Sequence, residues 1–131
     1  MTVLEKYVQE LSVDVALEEL NLKDAALTLP AKKAKWVSRL MIEKTNLNKL
    51  HKKKNDIIKT AVEQIKNESP IKLNLPTLER AAEKHPAVIA VEEEIAGQKS
   101  IIDFLERVEK TIHSISFDVK NLIELIKMET A

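Results

Sequence analysis

The chain has 131 residues, 44% of them hydrophobic and 32% charged, with one glycine, four prolines and no cysteine. So few turn residues point to long helices rather than sheets, and the missing cysteines exclude a disulfide framework, a thiolate metal site and a cysteine nucleophile. The formal net charge of zero is unevenly spread: residues 1–31 carry two lysines against six acids, residues 32–72 carry twelve Lys/Arg against four acids (net +8), and residues 73–131 carry seven against eleven. A basic middle between acidic flanks suggests either a surface that holds a polyanion or self-association through opposite charges.

The N-terminal stretch MTVLEKYVQELSVD mixes charged and apolar residues and does not read as a secretory signal. Val3, Leu4, Tyr7, Val8 and Leu11 have the spacing of a short amphipathic helix. Leu17, Leu20, Leu22, Ala25, Ala26 and Leu29 fit a second one, which places short N-terminal helices in residues 1–29. Thr28-Leu29-Pro30 reads as the start of the next helix, with Thr28 as its cap and the proline in the first turn, where a missing N–H costs nothing.

From 30 to 66 nothing breaks the helix. Its apolar positions, including Trp36, Val37, Leu40, Leu47, Leu50, Ile57, Ile58, Ala61, Val62 and Ile65, recur mostly at steps of three and four. This is the long basic helix. The segment 67–85, with Pro70 and Pro76 as punctuation, reads as a linker with an extended piece at Ile71, Leu73 and Leu75 and a helical turn or two from Pro76 that stops at His85-Pro86.

From 86 to 128 an alternating three-four spacing selects Val88, Val91, Ile95, Gln98, Ile102, Leu105, Glu109, Ile112, Ser116, Val119, Ile123 and Ile126. Nine of these twelve are apolar, the pattern of a helix packed along its length against partner helices. Ile89, Ile101, Phe104, Val108, Ile115, Phe117, Leu122 and Leu125 flank the seam and widen it beyond a two-stranded coiled coil. A helix of about 37 residues extends ~55 Å, longer than a compact domain of this size. Either the two long helices form a hairpin with exposed apolar surface, or copies assemble. The expectation is an all-α fold in a single helical domain, 1–131: two long helices joined by a proline-containing linker, plus short N-terminal helices, assembling into a helical homo-oligomer. Its oligomerisation residues would be Val88, Val91, Ile95, Ile102, Leu105, Ile112, Val119 and Ile126.

Phosphate loops need several glycines, and the single one, Gly97, lies inside a helix. His51, His85 and His113 lie in different segments without an HExxH, and Glu109 with His113 supplies only two ligands, so no metal site and no cofactor is expected. Glu92-Glu93-Glu94 reads as a solvated helix face. Nothing points to catalysis, and the chain is not read as an enzyme. No apolar run approaches the ~20 residues of a membrane span.

The basic middle remains. Lys52, Lys59 and Lys66 are seven apart and share one side of a helix, Lys49 and Lys53 widen it, and Ile57, Ile58, Ala61, Val62 and Ile65 lie nearby. Lysine is a point charge suited to phosphates without sequence preference, and only four aromatics are present, too few for a base-stacking platform. Candidate DNA-binding residues are Lys52, Lys53, Lys54, Lys59 and Lys66. The bland alternative is a lysine-rich solvated face on an oligomeric helical scaffold, or an adaptor that holds a partner helix, with no DNA binding.

The segment VIAVEEEIAGQKSIIDFLERVEKTIHSISFDVKNLIELIKMETA at 88–131, with KAKW at 33–36 and DVALEEL at 14–20, resembles the UvsY-like recombination mediator family of T-even bacteriophages. The strongest local matches are Val88-Ile89 with Val91, Asp103-Phe104, and Ile112, Ser114, Phe117 and Lys120. The resemblance implies a helical protein that forms a ring-like homo-oligomer, binds single-stranded DNA and loads a RecA-like phage recombinase while helping to displace the single-stranded-DNA-binding protein. It also implies residence in the cytoplasm of the infected bacterial host, with no membrane association. The family's Leu-Lys-Ala-Arg-Leu stretch falls on Ile58-Lys59-Thr60-Ala61-Val62, where Lys59 matches the lysine and Ala61 replaces the arginine. Lys52, Lys53 and Lys54 offer charge nearly two turns earlier.

Overall fold

A computed structural model describes residues 2–15 and 22–130. The fold is all-α, with four helices among the described residues: α1 (Val3–Asp14), α2 (Leu22–Glu68), α3 (Leu75–Ala82) and α4 (Pro86–Thr130). Leu17 and Leu20 of the expected second short helix lie outside the described residues.

Local chemistry sets most helix ends. At α1 the Thr2 hydroxyl accepts from the Glu5 N–H at 3.1 Å while the Thr2 N–H donates to the Glu5 carboxylate at 3.2 Å, a reciprocal box that satisfies two otherwise orphaned donors. Asn74 caps α3 by accepting from the Thr77 N–H at 3.0 Å, with Pro76 in the first turn. Leu75 therefore belongs to α3 and not to an extended piece. Before Pro86, the His85 Nδ1 accepts from the Ala87 N–H at 3.1 Å.

The start of α2 differs from the sequence expectation: the helix begins at Leu22 and runs through Pro30. Thr28 is no cap; its hydroxyl donates back to the Asp24 carbonyl at 2.9 Å. An interior proline costs about 3 kcal/mol of helix stability. Leu22 and Leu29, both on its N-terminal side, are buried, and burying two leucines is worth about 1.5–3 kcal/mol each. Tertiary burial thus overrides the local stop signal.

The described chain packs in two compact units: one holds the residues up to Ile42 together with those from Ile101 on, the other Glu43–Ser100. In the first, α2 contributes Leu22, Leu29, Trp36 and Leu40 to the core and α4 contributes Ile102, Leu105, Val108, Ile112 and Val119. In the second, the buried apolar residues are Ala61 of α2, Leu78 and Ala82 of α3, and Val88, Val91 and Ile95 of α4. Here α2 and α4 run antiparallel: Glu43 meets Gln98, Lys53 meets Glu94 and Lys54 meets Glu92. The Gln98 side-chain amide donates to the buried Glu43 carboxylate at 2.5 Å and to its backbone carbonyl at 2.9 Å, the one polar breach of the apolar seam in this unit.

Candidate nucleic-acid interface

In the second unit, Lys49, Lys52, Lys53, Asp56, Ile57, Thr60, Ala61 and Gln64 of α2 follow one another at alternating steps of three and one and line one wall of a groove of about 560 Å³. His85 and Ala87 form the opposite wall. The groove joins three cations to an apolar floor, with Asp56 as the single acid.

Lys53 and Lys54, the last two lysines of the run 52–54, are held across to α4. Lys53 Nζ lies 3.3 Å from a Glu94 carboxylate oxygen, and Lys54 Nζ 3.2 Å from Glu92. Both pairs are solvent-accessible, so each is worth about 0–1 kcal/mol and exchanges readily for another anion. Lys54 does not line the groove. Lys59 is exposed and stays on the Lys52 side, since seven residues bring an unbroken helix nearly back to the same side. Lys66, also exposed, lines a separate cavity of about 610 Å³ with Val62, Pro70, Ile71, Lys72 and Leu73. Of the five lysines singled out from sequence, the groove gathers Lys52 and Lys53, adds Lys49, and leaves Lys54, Lys59 and Lys66 outside. The spacing from Lys49 to Lys52 and Lys53 was visible in sequence. His85 and Ala87 gave no local signal, because only the folded hairpin brings them to α2.

In the first unit the basic segment does different work. Lys35 Nζ bridges Asp14 (2.5 Å) and Glu10 (2.9 Å), Lys32 Nζ donates to the Asp14 backbone carbonyl at 3.1 Å, and Arg39 pairs with Glu10. Trp36, 1% exposed, donates its indole N–H to Asp14 at 2.8 Å. It also meets Tyr7 edge-to-face at 5.8 Å, and the Arg39 guanidinium lies 4.9 Å from the Trp36 ring centre and 5.5 Å from that of Tyr7. Three of the twelve basic residues of 32–72 thus dock α1. Hydrogen bonds from Arg39 and Lys35 hold the Glu10 carboxyl below its ordinary range. Burial pushes Asp14 up, but hydrogen bonds from Lys35 and Trp36 outweigh it and leave it lowered. Burial likewise pulls Lys35 down, and its bonds to Asp14 and Glu10 reverse that and raise it.

The seam residues of α4 are mostly used inside the chain. Val88, Val91, Ile95, Ile102, Leu105, Ile112 and Val119 are all buried without a second copy, Val88 and Leu105 completely. Only Ile126 of the eight is exposed, beside Leu122, Leu125 and Met128, with Phe117 further back along α4. Physically, one copy of α2 and α3 already satisfies most of the stripe that the sequence offered to partner chains. Among the described residues no group of three or more His, Asp or Glu could hold a metal, and no helix is long and apolar enough to cross a membrane.

The chain is thus an all-helical protein that carries a lysine-lined groove in its second unit. Residues 10–131 match the family described as "Recombination, repair and ssDNA binding protein UvsY", and the chain belongs to that family, which comprises phage recombination proteins. No curated protein matches it by sequence. The fold is similar to crystal structures of the bacteriophage T4 recombination mediator protein UvsY. In one lattice the TM-score is 0.83 at 17% identity, covering 98% of this chain and 99% of that one; in a second the values are 0.83 and 17%, with 100% and 99% covered. A third gives 0.77 at 18% identity, with both chains fully covered.

Proposed function

We propose that the chain is a phage recombination mediator that binds single-stranded DNA without sequence preference and promotes loading of a RecA-like recombinase onto strands covered by single-stranded-DNA-binding protein. The observation that carries the reading is the lysine groove of the second unit, in a chain that belongs to this family. Lys49, Lys52 and Lys53 engage phosphates as point charges, with Lys54, Lys59 and Lys66 extending the surface along α2. Phosphate oxygens take the places that Glu92 and Glu94 hold around Lys54 and Lys53 in the free chain. The reading places the protein in the cytoplasm of the infected host.

The proposal includes a ring-like homo-oligomer, in which each groove recurs and avidity multiplies a modest single-site affinity. The surface available for assembly is the exposed apolar stretch Leu122, Leu125 and Ile126, at i, i+3 and i+4, with Phe117 and Met128.

Fluorescence anisotropy with labelled single-stranded DNA across salt concentrations tests the binding claim. Log affinity is expected to fall with log salt at about 0.7 per phosphate neutralised, and Lys53→Ala/Lys54→Ala/Lys59→Ala to weaken binding and flatten that slope. Binding absent at low salt, or unmoved by the triple substitution, sinks this reading and favours the scaffold or adaptor.

A further inference from the structure

The lysines account for the backbone of a strand, but they do not account for the groove beneath them. Ala61 of α2 and Ala87 of α4 are the smallest side chains of its lining. Its volume of about 560 Å³ falls within the ~300–1,000 Å³ of small-molecule sites. Its floor is aliphatic, its rim cationic, and Thr60 and Gln64 offer hydrogen-bonding groups along one wall. A nucleotide has the complementary order: an anionic phosphate, then a base with two apolar faces and a polar edge.

We infer that the groove receives a nucleobase, inserted between Ile57 and Ala61 on one side and Ala87 on the other while its flanking phosphates rest on Lys49, Lys52 and Lys53. This rests on the single-stranded-DNA reading and adds to it that bases, and not only phosphates, contribute to holding the strand. Aliphatic walls grip any base by its faces, so the insertion is sequence-tolerant, and it requires a strand whose bases are unpaired. A duplex, with its bases stacked inside, satisfies the rim alone.

The test compares a labelled thymidine oligonucleotide with an abasic backbone of equal length, against the full chain at low salt. The intact strand is expected to bind about tenfold more tightly, the factor for roughly 50 Å² of apolar surface removed from water. Ala87→Leu, at an exposed wall position, narrows the groove without offering an aromatic face and should remove that advantage while leaving the abasic strand unaffected. Thr60→Leu is the second variant should the first not fold, as judged by helical circular dichroism. A 2-aminopurine placed in the strand should be shielded from iodide quenching by the natural chain and exposed with Ala87→Leu. Equal affinity for the two strands overturns the inference and leaves phosphate binding standing, whereas absence of binding to both overturns the parent reading as well. Retention of the base preference by both variants places the bases elsewhere. Loss of recombinase stimulation with strand binding untouched assigns the groove to a protein side chain, and either result overturns the inference.

Discussion

Lys53 of α2 and Glu94 of α4 face each other across the second unit with Nζ 3.3 Å from the nearer carboxylate oxygen, and Lys54 and Glu92 repeat the arrangement at 3.2 Å. Two of the proposed DNA-binding lysines, one in the groove and one beside it, therefore already share their charge with an internal carboxylate. Glu92→Gln/Glu94→Gln should bind single-stranded DNA more tightly than the natural chain, by up to about fivefold for each exposed pair released. The gain should shrink as salt rises, since exposed charges are screened within about 10 Å at 0.1 M. Anisotropy titrations at several salt concentrations measure this, and unchanged affinity at low salt counts against competition.

Asp14 satisfies Lys35, the Trp36 indole and, through its backbone, Lys32. Asp14→Ala leaves Lys35 and the Trp36 indole without the carboxylate and should destabilise the fold by about 1–3 kcal/mol, measured by urea unfolding with tryptophan fluorescence as a probe of the Trp36 surroundings.

The same cluster gives the acid sensitivity its sign. Glu10 and Asp14 titrate below their ordinary values, so their contribution is fully present above the unfolded carboxylate range near pH 4 and is lost as pH falls through the folded values. Lys35 is raised, so its contribution is lost only as pH climbs beyond the ordinary lysine range. Thermal midpoints should fall below about pH 4, and less steeply in Asp14→Asn than in the natural chain.

The core and the proposed assembly surface separate along α4. Leu105→Ala should cost about 2–5 kcal/mol in unfolding experiments, because Leu105 is completely buried within one copy. Leu122→Ser/Leu125→Ser, at exposed positions, should leave the helical circular dichroism intact and reduce the particle mass seen by light scattering. A mass unchanged by the serines moves the assembly surface elsewhere.

Much of the fold was legible in the sequence, because three-four periodicity over long stretches without glycine specifies helices whatever their partners. The boundary at Thr28-Pro30 misled for a physical reason: local stop chemistry is worth about 3 kcal/mol, and burial of Leu22 and Leu29 is of the same size and opposite sign. The seam from Val88 to Val119 was also legible as a buried stripe. Periodicity reports that a face is covered and not which chain covers it, so its use within one copy emerged only with the tertiary structure. For the candidate site, the lysines and their helical spacing were plain, whereas the run Glu92-Glu93-Glu94 read as a solvated face. Pairing of Glu92 and Glu94 with α2 spans roughly forty positions of sequence and depends on the hairpin's alignment.

That alignment has a keeper. The half-buried Gln98 bonds the buried Glu43 in an otherwise apolar seam, and sliding α4 by a turn against α2 would leave that buried carboxylate without the Gln98 amide. Such a pair acts as a locating pin: apolar ridges tolerate several offsets, and a hydrogen bond to a buried carboxylate tolerates one. Because Glu94 stands one turn from Gln98 on the same helix, the pin also decides which carboxylate Lys53 meets. The electrostatic setting of the groove is thus inherited from two neighbours that do not line it, and a substitution at Gln98 would be felt at Lys53 without touching it.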